Sequence, residues 1–198
     1  MPAGCDAFSA RFAGIARKLF FSMVVLVVTF LVVLLDQLTK ELIRLNMTLG
    51  DHIEVVRGFF NIRYVQNQGA AFGMLQGFNG VLVLVSFLVL TVIVFSRRSF
   101  MEETPAHRIA MGLMISGICG NLADRIRLGF VVDFLDFHWG VHHFWAFNVA
   151  DSAICIGVGL YAISQFKAER KRTRAAKASA ADGGEREIAR GNASAVGE

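Results

Sequence analysis

Four apolar runs, each near the length of a membrane-spanning helix, divide the chain. They occupy residues 19–35, 78–95, 109–123 and 149–166. At a helical rise of about 1.5 Å per residue, the first run extends about 25 Å, close to the roughly 30 Å hydrocarbon layer of a bilayer. The third run is the shortest and is rich in glycine and serine, which suits close packing inside a bundle. The pattern predicts an all-α membrane bundle of four transmembrane helices within a domain covering residues 19–166.

The first run has a second interpretation, because basic residues in the lead 1–18 precede it, as in a secretory signal peptide. The run ends at Leu35-Asp36-Gln37, which is not a small-residue cleavage site. An uncleaved span is therefore the preferred interpretation, with residues 1–18 as a short cytoplasmic lead.

Polar and apolar positions follow a different pattern between the first two runs. Residues 53–65 are rich in β-branched and aromatic side chains with partial alternation, which is typical of short strands. Small residues and two glycines follow at 67–73, where the backbone can approach another group closely. We therefore expect a small β-rich platform outside the membrane, formed by the insert at about 50–75.

Composition supports a membrane protein, since 55% of the 198 residues are hydrophobic and the mean hydropathy is +0.52. The net charge of +4 comes mainly from the tail 167–198, which begins with six basic residues between Lys167 and Lys177. We interpret this tail as cytoplasmic and disordered, and not as a nucleic-acid-binding segment. The three cysteines have no spacing typical of disulfides or metal sites.

The distribution of Lys and Arg predicts the orientation in the membrane. With four spans, both termini and the 97–108 loop share one side, which carries 14 Lys and Arg against 6 on the other. The positive-inside rule then places both termini in the cytoplasm. Polar clusters from several parts of the sequence consequently meet at the outer face.

Carboxyl groups are the main candidates for chemistry at that face: Asp124, Asp133, Asp136 and Asp151. Carboxyl groups near a membrane are costly and indicate function. Two close carboxyls in a site of low polarity do not both ionise readily, so one can activate water while the other donates a proton.

Other chemistries have weaker support in the sequence. His138, His142 and His143 lack the spacing of a metal site, and the serines lack a nearby lysine or a GxSxG motif. The pair Gly117 and Gly120 is too weak a signal for a phosphate loop. We expect no metal and no cofactor.

Several of the polar residues also have structural interpretations. Asp151, or Asn148 before it, can be a helix N-cap. Asp36 and Lys40 are spaced i, i+4 and can pair on one helix face, which favours a supporting role. Asp124 and Arg125 can form an ion pair that closes the third span.

The polar segments together resemble the ordered motif set of the bacterial lipoprotein signal peptidases (signal peptidase II). Each motif alone is weak, but all five occur in order across residues 19–166. They are Asp36-Gln-Leu-Thr-Lys40, Asn67-Gln-Gly-Ala-Ala-Phe72, Gly120-Asn-Leu-Ala-Asp-Arg125, Val131-Val-Asp-Phe134 and Phe147-Asn-Val-Ala-Asp151.

The resemblance implies an inner-membrane aspartyl endopeptidase with its active site at the periplasmic face. Its substrates are prolipoproteins carrying a diacylglyceryl-modified cysteine, and cleavage occurs just before that cysteine. The implied catalytic dyad is Asp133 and Asp151, with Asp124 as the nearest rival. The implied substrate-binding or supporting residues are Asp36, Lys40, Asn67, Asn121, Asp124, Arg125 and Asn148. Membrane lipids are the other expected partners, the enzyme is expected to be a monomer, and Asp136 has no implied role.

Two other classes of function remain open at this point. A small transporter or proton relay would also use acidic residues in a bundle, but it predicts acids near mid-span, whereas these lie at span ends. A non-catalytic scaffold protein predicts that Asp to Asn changes at all these positions are tolerated.

Overall fold

The computed structural model describes the backbone of residues 4–70, 74–100, 104–140 and 142–195, and the side chains of residues 22–70, 74–95, 104–140 and 142–176. Ala71 and Phe72, the last two residues of the second motif, and Gly73 after them lie outside the described residues. The element order is α1 (Gly4–Asn46), β1 (His52–Val56), β2 (Phe60–Asn67), α2 (Asn79–Phe100), α3 (Pro105–Leu128), β3 (Val131–Trp139), β4 (His142–His143) and α4 (Val149–Ala195).

The chain divides into two units, residues 1–160 and 161–198. The first unit holds the sheet, the helices α1 to α3 and the start of α4. The second unit contains the remainder of α4, which continues to Ala195. The tail for which the sequence predicts disorder is described as helix up to Ala195, and its Ala, Arg, Lys and Glu residues favour helix; the disorder itself stays a prediction.

Among the described residues, three helices are long and apolar enough to cross a membrane, within Ser22–Asn46, Pro105–Leu128 and Val149–Ala176. The fourth apolar helix, Asn79–Phe95, is shorter. Of the apolar window in α3, 56% is buried inside the protein, against 11% in α1. Helix α3 is therefore the central helix, and the site residues that it carries face other helices.

Helix α3 is longer than the predicted span 109–123 because defined caps set both of its ends. The Thr104 side chain accepts a hydrogen bond from the His107 backbone N–H at 3.3 Å, and Pro105 occupies the first turn. At the other end Gly129 has a φ of +82° and its N–H donates to the Arg125 carbonyl. The extra turn places Asp124 and Arg125 inside the helix.

The strands form one antiparallel sheet in the order β1-β2-β3-β4. Strands β1 and β2 lie in the predicted platform, which confirms strands in that insert. Strand β3 lies between the third and fourth apolar runs, in a segment for which the sequence analysis predicts no strand. It forms because its β-branched and aromatic residues pair with β2, and Asp133 lies opposite Val65 in the register.

Candidate active site

Asp133 and Asp151 lie on different elements, and one isolated antiparallel bridge brings these elements together. Asp133 lies on β3, and Asp151 lies in the first turn of α4. Between them, Phe147 pairs with Leu135, with N–H to carbonyl distances of 2.8 and 3.1 Å. This short pairing starts α4 beside β3. Both carboxyl groups consequently line the same cavity of about 700 Å³.

Asn148 connects the two carboxyl groups. The Asn148 side-chain oxygen accepts a hydrogen bond from the Asp151 backbone N–H at 2.9 Å. The Asn148 backbone N–H donates to Asp151 Oδ2 at 3.2 Å. This reciprocal pattern is a helix cap, so the N-cap interpretation of Asn148 holds. Its Nδ2 group also donates to Asp133 Oδ1 at 2.7 Å. The cap of α4 therefore also orients Asp133.

Two further amides hold the remaining carboxylate oxygens. Asn67 Nδ2 donates to Asp133 Oδ2 at 3.0 Å, and Asn121 Nδ2 donates to Asp151 Oδ1 at 2.7 Å. The Asn67 side-chain oxygen in turn accepts from the Gly69 N–H at 2.9 Å. Each carboxyl group therefore has a defined orientation, set by side chains from β2, α3 and the α4 cap.

The electrostatics of Asp133 fit a carboxyl group that retains its proton. Its side chain is 2% exposed. Burial raises its pKa from 3.8 to about 7, and the negative charge of Asp151 contributes in the same direction. Hydrogen bonds from Asn67 and Asn148 and the charge of Lys40 oppose this shift and lower the pKa of Asp133. A carboxyl group with a pKa near neutrality can hold or release a proton at ordinary pH, a property that suits general acid catalysis.

Lys40 is the centre of a buried ionic cluster next to Asp133 and Asp151. Its ammonium lies 2.9 Å from Asp36 and 3.0 Å from Asp124, and it donates to the Asn121 side-chain oxygen at 2.9 Å. Lys40 and Asp36 pair at the predicted i, i+4 spacing, and both side chains are at most 2% exposed. Through Asn121, this cluster holds the amide that donates to Asp151.

Asp124 and Arg125 have separate partners, and among the described residues the alternative ion pair between these two side chains is not formed. Asp124 accepts from the Val132 N–H at 3.2 Å, next to Asp133, in addition to pairing with Lys40. Arg125 donates to the Gly69 carbonyl at 3.0 Å and lines the cavity shared by Asp133 and Asp151. Asp124 thus supports β3 from outside the cavity.

Close approach of α1, α3 and α4 depends on two glycines of α3. A Cβ on Gly120 would lie 2.5 Å from Asp36 Oδ2, and a Cβ on Gly117 would overlap the Ala150 carbonyl. The Ala150 N–H donates to Asp36 Oδ1 at 2.8 Å across the same contact. These glycines let Asp36 reach the start of α4 and so fix the position of Asp151.

Comparison with known proteins identifies a family to which this chain is similar. Residues 28–167 match the family model described as signal peptidase (SPase) II. The lipoprotein signal peptidase of Geobacter sulfurreducens is 46% identical over 141 residues, covering 70% of this chain and 88% of that protein. The lipoprotein signal peptidase of Symbiobacterium thermophilum is 42% identical over 151 residues, covering 76% of this chain and 99% of that protein.

The chain belongs to the signal peptidase II family. It is therefore an aspartic-type endopeptidase that acts on the signal peptides of prolipoproteins. A solved structure described as a bacterial membrane enzyme superposes with a TM-score of 0.67 at 35% identity, covering 72% of this chain and 87% of that one. A second structure with the same description has a TM-score of 0.65 and the same identity.

Within this signal peptidase II fold, sequence reasoning missed one polar residue of the cluster. Gln37 Nε2 donates to Asp124 Oδ1 at 3.1 Å, to Asp36 Oδ2 at 3.2 Å and to the Gly120 carbonyl at 3.2 Å. Its position directly after Asp36 in the first motif was the available signal.

The aromatic lining of the cavity shared by Asp133 and Asp151 was also missed. Phe144, Trp145 and Phe147 line it, together with Ile154 and Cys155 of α4. Asp136, the fourth candidate carboxylate, does not line this cavity and instead borders a separate one of about 450 Å³.

Proposed function

We propose that Asp133 and Asp151 are the catalytic dyad, and that they cleave a diacylglyceryl-modified prolipoprotein just before its lipidated cysteine. The observation that carries this proposal is the shared cavity: both carboxyl groups line it, and three asparagines orient them. The family assignment supplies the reaction class, and the dyad assignment rests on this geometry.

In the proposed mechanism Asp151 is the ionised member of the pair. It takes a proton from a water molecule as the water oxygen forms a bond to the scissile carbonyl carbon. The protonated Asp133 donates a hydrogen bond to the carbonyl oxygen. When the carbon–nitrogen bond breaks, a carboxyl group of the dyad returns the proton to the leaving amine. The apparent pKa values belong to the pair.

The cavity walls suit a substrate that carries both a lipid and a peptide. Phe144, Trp145, Ile154 and Cys155 form an apolar side, and the dyad, Asn67 and Arg125 form a polar side. Trp145 and Phe144 are more than half exposed. The apolar side is suited to acyl chains in the bilayer, while the polar side holds the scissile bond near water.

We further propose that all four helices span the inner membrane, with the shorter apolar helix 79–95 as the second span. This count keeps both termini in the cytoplasm and the sheet at the periplasmic face. The excess of Lys and Arg on the terminal side supports this orientation.

A gel-shift assay with purified full-length enzyme and a lipid-modified precursor tests the dyad. Asp133→Asn and Asp151→Asn should abolish detectable cleavage while the protein still inserts and remains folded. Asp124→Asn is the comparison variant, since Asp124 lies outside the cavity. Near-normal cleavage by Asp133→Asn together with loss of cleavage in Asp124→Asn would show that the dyad is wrongly assigned.

A further inference from the structure

Asp136 is a buried carboxyl group that the proposed reaction does not use. It follows Asp133 by three positions on β3, and side chains alternate along a strand, so the two point to opposite faces of the sheet. Asp136 is 1% exposed. A buried carboxylate is strongly destabilising without partners, so the groups that contact it indicate what it does.

The partners of Asp136 come from two neighbouring strands. His143 Nδ1 of β4 lies 3.0 Å from both carboxylate oxygens, and Asn61 Nδ2 of β2 donates to Oδ2 at 3.4 Å. The His143 ring also stacks on His138 of β3, with 4.9 Å between ring centroids. Asp136 therefore ties β4 to the rest of the sheet.

Strand β4 contains two residues, His142 and His143, and pairs with His138 and Trp139. A two-residue strand has little pairing of its own to maintain its position. The hydrogen bonds from His143 to a buried carboxylate are thus a large part of what holds β4 in place, since hydrogen bonds to charged groups are the stronger ones.

The residues directly after β4 form one wall of the catalytic cavity. This aromatic wall consists of residues 144–147, and its Phe144 N–H donates to the Phe137 carbonyl at 2.7 Å. The Phe147 ring stacks on Phe137 at 5.8 Å. Phe137 lies on the Asp133 face of the sheet, and the wall is joined to the Asp136 contact on the other face because Phe144 directly follows His143.

We propose that Asp136 and His143 are positioning residues that hold the aromatic wall in the orientation that binds substrate. This inference rests on the proposed function. The dyad itself is oriented by Asn67, Asn121 and Asn148, which the Asp136–His143 contact does not include. Loosening the wall therefore weakens substrate binding and leaves the chemical step largely intact.

Steady-state kinetics on the lipid-modified precursor, with the full-length enzyme, test whether Asp136 and His143 affect substrate binding. Asp136→Ala and His143→Leu should each raise KM about tenfold, while kcat stays within about twofold. His143→Asn should restore KM, because the Asn Nδ2 group takes the place of the imidazole Nδ1–H. His142→Leu is the matched control: this neighbour is exposed and should have wild-type kinetics.

Fluorescence anisotropy of Trp145 tests the positioning without any cleavage. The chain has two tryptophans, so Trp139→Phe leaves Trp145 as the only reporter. In that background Asp136→Ala should lower the anisotropy of Trp145, and His142→Leu should not.

Three results would overturn the proposal: an unchanged KM in both Asp136→Ala and His143→Leu, a failure of His143→Asn to restore KM, or an unchanged Trp145 anisotropy. Failure of the wild-type enzyme to cleave the precursor would instead refute the proposed function. The anisotropy measurement would still test the positioning in that case.

Discussion

Replacing Asp133 with Asn should change protein stability in a way that depends strongly on pH. The pKa of Asp133 is raised from 3.8 to about 7 because the carboxyl group is buried and lies near Asp151. In the unfolded chain the same carboxyl group ionises near its ordinary value. Each pKa unit corresponds to about 1.36 kcal/mol, so the ionised group destabilises the folded state by about 4 kcal/mol once both states are ionised.

The sign and the pH window follow from these two values. Below pH 3.8 both states are protonated and the destabilisation is absent. Between pH 3.8 and about 7 the unfolded state has lost its proton while the folded state retains it, so stability falls as the pH rises. Above about pH 7 the destabilisation is complete. The Asp133→Asn variant avoids this destabilisation, because the Asn side chain is neutral at every pH.

The substitution also removes one hydrogen bond. Asn67 donates to one oxygen of Asp133 and Asn148 to the other, at 3.0 and 2.7 Å. The introduced amide side chain has a single oxygen, so one of these donors loses its acceptor, which costs about 1 kcal/mol. The variant should therefore be slightly less stable than wild type at about pH 4 and about 3 kcal/mol more stable at about pH 8.

The measurement is the free energy of unfolding of both proteins in mixed micelles at the two pH values. Asp51→Asn is the control, because the Asp51 carboxylate is exposed and accepts hydrogen bonds from the Thr48 hydroxyl and N–H. These bonds lower the pKa of Asp51. Its replacement should thus lower stability at about pH 8, opposite in sign to Asp133→Asn. An equal effect of Asp133→Asn at both pH values would refute the assignment of Asp133 as the protonated member.

Three other predictions concern the rate and the helix contacts. If Asp133 supplies the proton, kcat/KM for the lipid-modified precursor should fall as the pH rises through about 7, measured as a pH–rate profile. Lys40→Met leaves the buried Asp36 carboxylate without its cation and should lower the free energy of unfolding by about 3 kcal/mol; an unaffected variant would show that the cluster contributes no stability. Gly120→Ala places a methyl group against Asp36 and should destabilise the protein by about 1–3 kcal/mol. Gly159→Ala is the control, because a Cβ added at Gly159 would have no other atom within 4 Å. This variant should have unchanged or slightly higher stability in the same unfolding measurement.

Local patterns in the sequence were sufficient where a single segment carries the whole signal. The apolar runs predicted the positions of the helices, because a membrane span needs only length and hydrophobicity. The β-branched segment 53–65 likewise predicted the strands β1 and β2. The exact helix ends were missed at α3, since they depend on the Thr104 and Gly129 caps.

Strand β3 was missed, although its β-branched and aromatic residues resemble those of the segment 53–65. It pairs with β2, which lies about seventy residues earlier in the chain, and such a long-range partner is not visible in a local window. Once β3 is a strand, the period of two separates Asp133 from Asp136. Four candidate carboxylates thereby resolve into the proposed dyad, Asp124 in the ionic cluster, and Asp136 on the opposite face of the sheet.

By itself, the sequence determined that this is a membrane protein with polar groups at the ends of its spans, and its motifs indicated which family it resembles. The i, i+4 spacing also determined that Lys40 and Asp36 pair, because both lie on one helix face. Only the tertiary structure decided that Asp124 joins them and that Asn148 bridges Asp133 and Asp151. Such contacts depend on how closely α1, α3, α4 and β3 approach, and that distance is set by packing between segments far apart in the chain.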